Sequence, residues 1–346
     1  MSARAWTAFA AVSTLWGMPY LFIKVAVDDG VPPAFLAFVR IALGAAVLLL
    51  LAWRAGTLAS LRGRGRWLLV YAVLEITIPF PLIAAGEKHV ASSLAAIIIA
   101  AVPLFVAILA LRFDHAERAT GSRLVGLFVG LAGVVALVGI DVAGSADELL
   151  GAGAILLAAV GYAAGPMVFK RTLADLDPRA VMGASLLIAA VALAPFAAID
   201  PPPTNPSGSA ILSLVVLGLF CTAAAFVFFG ALVADVGPGR ALVITYVSPV
   251  VAVALGVTVL GERPGPGAVA GLLLILAGSW LSTDGRVPPG LMAVVTRVRR
   301  RRGRVPPAAT PVERRSRPMN APSTWTPSST PAAGSRSSIA SASSPG

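Results

Sequence analysis

Charge and cysteine are what this chain has least of. Asp, Glu, Lys and Arg make up only 12% of its 346 residues, about half the share found in ordinary soluble domains. The single Cys221 excludes an intramolecular disulfide framework. Reactive motifs are missing as well. There is no His-Glu-x-x-His zinc helix, no Gly-x-Ser-x-Gly elbow, no Walker loop and no dinucleotide-binding glycine fingerprint. These absences speak against an enzyme, against a resident metal or cofactor, and against ATP-driven work by this chain alone.

Apolar sequence fills the space instead. Residues AVILMFWYC account for 57% of the chain, and windows of about 20 apolar residues, enough to cross a bilayer as helix, recur from end to end. Ten spans are predicted, roughly 5–27, 33–53, 67–87, 91–111, 123–140, 149–169, 180–199, 210–234, 239–260 and 265–283. The first is expected to stay uncleaved, because its apolar run continues to Val27 through Trp16 and Pro19 without a convincing cleavage site. The net charge of +11 is local. Residues 285–346 hold 11 arginines against Glu313 alone, leaving +1 for the rest, so the high isoelectric point does not point to nucleic acid. The Pro/Ser-rich residues 303–346 cannot bury a core and are expected to be disordered. Ahead of them, Leu291, Val294, Val295 and Val298 fall at helical spacing beside Arg297 and Arg299–Arg302. Two readings are open for the strip Arg297–Arg302: a contact with anionic lipid or a stop-transfer cluster.

The basic residues set an orientation. With the N-terminus inside, inner loops carry Arg54, Arg62, Arg64, Arg66, Arg112, Arg118, Arg123, Lys170, Arg171, Arg179 and Arg240. Outer loops carry Lys88 and Arg263 with Asp28, Asp29, Asp141, Asp147, Glu148 and Asp200. Both termini are therefore expected in the cytoplasm. His89 and His115 fall on opposite sides and cannot share a metal.

One stretch is written twice. Residues 91–133 and 237–278 each contain an apolar run broken by proline (Pro103, Pro249), then a Glu-Arg pair (Glu117-Arg118, Glu262-Arg263), then Gly-Leu-x-x-x-Leu-Ala-Gly. The prolines lie 146 positions apart and the glutamates 145, a period too long for a solenoid and fit for a duplicated unit. Five spans per half is odd, so the second copy must enter the membrane inverted. This gives an all-α membrane fold with repeats over 1–141 and 142–283 and a tail over 284–346.

These motifs, with Leu15-Trp16-Gly17 leading to Lys24 and Arg40 in the second span, make residues 5–283 resemble the EamA family of the drug/metabolite transporter superfamily. The resemblance implies a ten-helix inverted-repeat transporter with a central cavity, commonly exporting amino acids, other metabolites or drugs. It implies a bacterial cytoplasmic membrane, to which a composition of 24 Arg and 3 Lys adds a hint of a GC-rich genome. Without a nucleotide loop, transport would be gradient-driven or facilitated. A carrier of lipid-linked or nucleotide-linked substrates is one alternative; an integral membrane enzyme or assembly subunit is another. Oligomeric state is not legible.

Glu75 is the most informative residue. It lies about eight residues into the 67–87 span, where a carboxyl is expensive and should face a cavity or a partner. Pro79 and Pro81 follow, each removing a hydrogen bond to the carbonyl four residues earlier, those of Glu75 and Thr77. That setting suits a proton or cation; the alternative is a protonated Glu75 bonded to a neighbouring helix in a purely structural role. At the 146 offset the second copy has Cys221 and Ala225 instead of Glu75 and Pro79. Arg40 is open to three readings: a substrate carboxylate, an ion pair with Glu75, or snorkelling. Lys24 and its counterpart Lys170 read as interfacial anchors. Trp16 with Pro19, the neighbouring Tyr20, Tyr162 with Pro166, and Tyr246 with Thr245 and Pro249 are cavity-lining candidates beside expected kinks, or packed aromatics. The rows Gly126/Gly130/Gly133 and Gly271/Gly278, and Gly161/Gly165, read as close helix contacts.

Overall fold

In hydrocarbon every backbone amide must be satisfied within the chain, so the apolar runs become helices. The computed structural model describes residues 2–113, 121–142, 144–203, 205–237, 241 and 243–282. Eight helices there are long and apolar enough to cross a membrane, and two shorter apolar helices complete ten. They are α1 (Ala3–Gly17, resumed as Pro19–Asp28), α2 (Pro33–Arg54), α3 (Gly65–Ala72, Val73–Thr77, Pro79–Glu87), α4 (Ser92–Ile99, Val102–Phe113) and α5 (Ser122–Leu137, Val138–Val142). The second half holds α6 (Ala146–Thr172), α7 (Pro178–Ile199), α8 (Gly208–Val215, Val216–Ala224, Ala225–Val236), α9 (Ile244–Val259) and α10 (Pro266–Ser282). Side-chain caps open several of them: the hydroxyls of Ser2, Ser145 and Ser207 accept from the amides of Ala5, Glu148 and Ala210, satisfying otherwise orphaned donors.

The repeat mates pack on one another. Helix α5 makes its main contact with α10, α2 with α7, and α4 packs against α9. That pairing is what a two-fold relation between inverted halves produces. The glycine rows make the closest approach. A Cβ at Gly278 would collide with the backbone of Gly126 and Gly130, and one at Gly133 with Leu274 and the Gly271 carbonyl. In α6, Gly161 lies against the Leu74 carbonyl and Gly165 against Glu75.

Charge divides the bundle by end. The α2–α3 and α6–α7 connections meet where Arg64 donates to the Thr172 carbonyl and pairs with Asp175, both at 2.6 Å. Arg54, Arg66, Arg171 and Arg179 belong to this end by helix direction. At the opposite end the Ser207 amide donates to Asp29 at 2.8 Å, near the termini of helices bearing Asp28, Asp141, Asp147 and Asp200. The sides expose large apolar residues such as Phe128, Val135, Leu150 and Val191, as a lipid-facing surface does. Glu117, Arg118, His115, Arg240 and the basic strip Arg297–Arg302 lie outside the described residues.

The chain is interrupted at Met18, ahead of Pro19, and at Ala100–Ala101, ahead of Pro103, whereas α6 and α9 run through Pro166 and Pro249. In α3, a π-helical turn over Val73–Thr77 precedes Pro79 and Pro81. A longer π stretch over Val216–Ala224 occupies the equivalent part of α8, which has no proline. Single π turns of this kind concentrate at functional sites.

Candidate functional site

Arg40 organises the interior. Helix α2 packs against the π stretch of α8, and Arg40 is only 7% exposed there. Its Nε donates to Thr222 Oγ1 at 3.0 Å, and the guanidinium carbon lies 4.2 Å from the centre of the Phe80 ring. The π winding explains the partner: Thr222 donates its own proton to the Leu217 carbonyl, five residues back, at 2.8 Å, so its oxygen is left to accept from Arg40. Arg40 therefore neither snorkels nor pairs with Glu75. Its two terminal nitrogens make no hydrogen bond among the described residues.

The other half repeats this arrangement without the arginine. Thr77, 145 positions before Thr222, donates to the Ala72 carbonyl, again five residues back, at 3.1 Å. The position matching Arg40 is Ser185 of α7, which packs against that turn; Ser185 Oγ is buried with no partner among the described residues.

The aromatic residues also form mirrored pairs. Trp16 meets Phe226 edge-on at 5.7 Å and Phe229 at 4.9 Å, while Tyr162 meets Phe80 edge-on at 6.5 Å. Trp16 and Tyr162 stand 146 apart, as do Phe80 and Phe226. Tyr20 packs against two of the buried clusters and lies within electrostatic range of Tyr162 and Arg40. Tyr246 joins the Trp16 cluster, and its hydroxyl donates to the Ser279 carbonyl of α10 at 3.2 Å. The structure thus brings Trp16, Tyr20, Arg40 and Tyr162 around the interface of the halves, with Tyr246 at its margin.

Glu75 sits inside the π turn of α3. The Ile78 amide bonds to the Val73 carbonyl at 3.1 Å, a five-residue step. By that register Pro79 frees the Leu74 carbonyl rather than that of Glu75, and the Leu74 oxygen is the atom against Gly161. The Glu75 carboxyl points at Gly165, and its Oε2 is buried without a hydrogen-bond partner among the described residues. Tyr71 and Tyr162 lie within its electrostatic range. Helix α8 carries Phe220 and Cys221 here, so neither register gives the second half an acid.

Sequence reasoning missed Glu87. At the last turn of α3 it is completely buried, and both carboxylate oxygens are without a partner among the described residues. Lys24 does not satisfy them: its ammonium donates to the Glu87 backbone carbonyl at 3.0 Å and pairs with Asp28 at 3.0 Å, as an anchor at a helix end would. The readable signal was helical spacing from Phe80 through Ile83 and Ala84 to Glu87, which puts all four on one buried face.

Glu262 proves to be a clamp. Its carboxylate accepts from the amides of Ser92 at 2.7 Å and Ser93 at 2.9 Å, capping α4 from the α9–α10 connection. Burial works against its charge, but the hydrogen bonds from Ser93 and Ser92 prevail and hold it below the ordinary glutamate range. Asp141 caps α10 likewise, accepting from the amides of Gly267 and Ala268. Two apolar grooves lie elsewhere on the bundle. One of about 890 Å³ involves Ala10, Thr14 and Phe228, and one of about 340 Å³ involves Ala42, Leu49 and Val191. Among the described residues no cluster of three His, Cys, Asp or Glu is placed to hold a metal.

The chain matches the model of the EamA-like transporter family over residues 4–139 and 149–283. It is 31% identical over 260 residues to the uncharacterized inner membrane transporter YedA of Escherichia coli, covering 74% of this chain and 82% of that one. It is also 31% identical over 288 residues to a probable terminal-alkyne amino-acid exporter of Streptantibioticus cattleyicolor, covering 81% and 93%. A solved crystal structure superposes with a TM-score of 0.59 at 23% identity, over 82% of this chain and 98% of that one, which speaks to the fold alone.

Proposed function

Because the chain belongs to the EamA-like transporter family of multi-pass membrane proteins, we propose that it is a secondary carrier exporting small amino-acid-like metabolites or amphiphilic drugs. The observation that carries this reading is the buried guanidinium of Arg40, held by Thr222 and by the ring of Phe80, which itself pairs with Tyr162, with two nitrogens uncommitted at the interface of the halves. A fixed cation lying on an aromatic face suits a small molecule with a carboxylate and an apolar side chain. The name of the Streptantibioticus relative weights the reading towards amino acids. Alternating access is achieved by rocking one five-helix half against the other about the paired helices α2/α7 and α5/α10.

Glu75 is the proton-coupling group in this scheme. A carboxyl without a partner at mid-membrane depth marks an ion pathway by default, and the second half has nothing equivalent. The carrier resides in a bacterial cytoplasmic membrane with its arginine-rich end inside, following the bias of short loops. Expression in cells stripped of their own exporters, challenged with a panel of amino-acid analogues and drugs, tests the reading. Tolerance and measured efflux of an amino-acid-like member support it; transport confined to lipid-linked or nucleotide-linked compounds overturns it.

A further inference from the structure

The connection between α2 and α3 carries charge that its surroundings do not balance. From Arg54, which ends α2, to Arg66, in the first turn of α3, it holds Arg54, Arg62, Arg64 and Arg66 and no acid. Arg64 is committed to the Thr172 carbonyl and to Asp175. The other acid of the facing α6–α7 connection, Asp177, is paired with Arg179 at 2.8 Å. Arg54, Arg62 and Arg66 are exposed and have no acidic partner among the described residues. Their backbone is held. Positive φ at Gly56 and Gly63 turns the chain twice. The amides of Gly56, Arg62 and Arg64 donate to the carbonyls of Trp53, Ala59 and Leu61 at 2.9, 3.3 and 3.1 Å. Leu61 and Trp67 pack on a buried cluster, and Thr57–Leu61 touches both α2 and α7. Two tryptophans fix the depth. Trp53 is 68% exposed beside Arg54, and the Arg66 guanidinium lies 4.8 Å from the centre of the Trp67 ring. Tryptophan at the adjoining ends of two spans marks the level of the lipid headgroups.

We propose that this connection is a binding surface for an anionic phospholipid of the inner leaflet, whose phosphate oxygens accept from Arg54, Arg62 and Arg66. Guanidinium forks match phosphate geometry, and basic residues at the cytoplasmic ends of spans attract anionic headgroups. A free anion or an acidic protein would use the cations alone. A lipid uses the tryptophans as well, because its headgroup and its acyl chains arrive together. The inverted copy has no such surface: its matching connection, residues 200–207, carries Asp200 and no base. Arginines that only guide insertion have finished their work in the folded protein, whereas a lipid surface leaves it with a measurable preference for anionic lipid. The leaflet follows from the orientation proposed above; the contact itself does not depend on what is exported. Because the platform touches α2 and α7, the bound lipid sits where the two halves meet.

Native mass spectrometry of the full-length protein in an uncharged detergent tests this, with dioleoyl-phosphatidylglycerol and dioleoyl-phosphatidylcholine as equimolar probes. The wild type is expected to retain phosphatidylglycerol at least about tenfold better, since each arginine near an anionic headgroup is worth roughly fivefold in affinity. The triple variant Arg54→Gln, Arg62→Gln, Arg66→Gln should lose that preference by about tenfold or more. A second variant, with Arg297 and Arg299–Arg302 changed to Gln, leaves the membrane spans untouched and should keep it. Three results overturn the proposal: no preference in the wild type, a preference that the triple variant keeps, or one that the tail variant abolishes. If the triple variant does not reach the membrane, the wild type and the tail variant decide. Displacement of phosphatidylglycerol by inorganic phosphate at matched charge assigns the surface to a free anion, and displacement by poly-L-glutamate assigns it to an acidic protein. Either overturns the lipid.

Discussion

At the scale of the residue, Thr222 is the pivot between backbone and site, because one hydroxyl satisfies the Leu217 carbonyl and orients Arg40. Thr222→Val keeps the shape and strands both partners, so we expect a loss of about 1–3 kcal/mol, seen in a detergent thermal-shift assay as a drop of several degrees. Thr77→Val removes the same backbone bond without an arginine attached, and its effect should be clearly smaller; equal shifts would show that Arg40 does not depend on the hydroxyl. Much of this site was legible in the sequence. Trp16, Arg40, Glu75 and Tyr162 stand out as aromatic or ionisable residues inside apolar runs, where burial needs a reason. Glu87 was hidden by its neighbours. Followed by Lys88 and His89, it looks like part of a solvated loop, and only the helical register through Phe80 turns it inward.

At the scale of the element, connections between helices act as caps for helices distant in sequence. Glu262 places a carboxylate on the N-terminus of α4, where the helix dipole and two amides favour its charge. Its depressed titration contributes stability above the ordinary glutamate range of about 4, and that contribution is lost as pH falls through the lowered value. Glu262→Gln should therefore cost about 1 kcal/mol at neutral pH, reduced by the site's partial exposure. The gap from wild type should close on acidification, measured as thermal transitions from pH 7 to about 3.5; a gap that widens in acid would contradict the assignment. The duplicated Pro, Glu-Arg and glycine pattern was readable because helix packing and capping impose fixed residue types at fixed spacing. The π turns were not. In α3 the prolines suggested a break one carbonyl away from the real one, and α8 winds as π with no proline at all. The extra residue per turn is chosen by packing against α2 and α7 and by the threonine that closes it, not by local propensity.

At the scale of the whole molecule, the two halves share their scaffold and differ at the chemistry. Mirrored elements include the aromatic pairs, the threonine-closed π turns and the glycine contacts of α5 with α10. Unmatched elements are Arg40 opposite Ser185, and Glu75 opposite Phe220 and Cys221. In the proposed alternating-access scheme a symmetric frame would supply two conformations of similar energy, and asymmetric charges would bias them by what they bind. The sequence showed this division at Glu75, where the copies disagree; at Arg40 it became visible only when α2 and α7 were seen packed together. In the proposed scheme a proton gradient acts through Glu75 on substrate movement. Flux into liposomes under an imposed pH gradient, compared between wild type and Glu75→Gln, measures it directly. Gradient-driven flux is expected in the wild type and its loss in Glu75→Gln, with exchange at equal pH retained. An unchanged pH-driven flux in Glu75→Gln would contradict it.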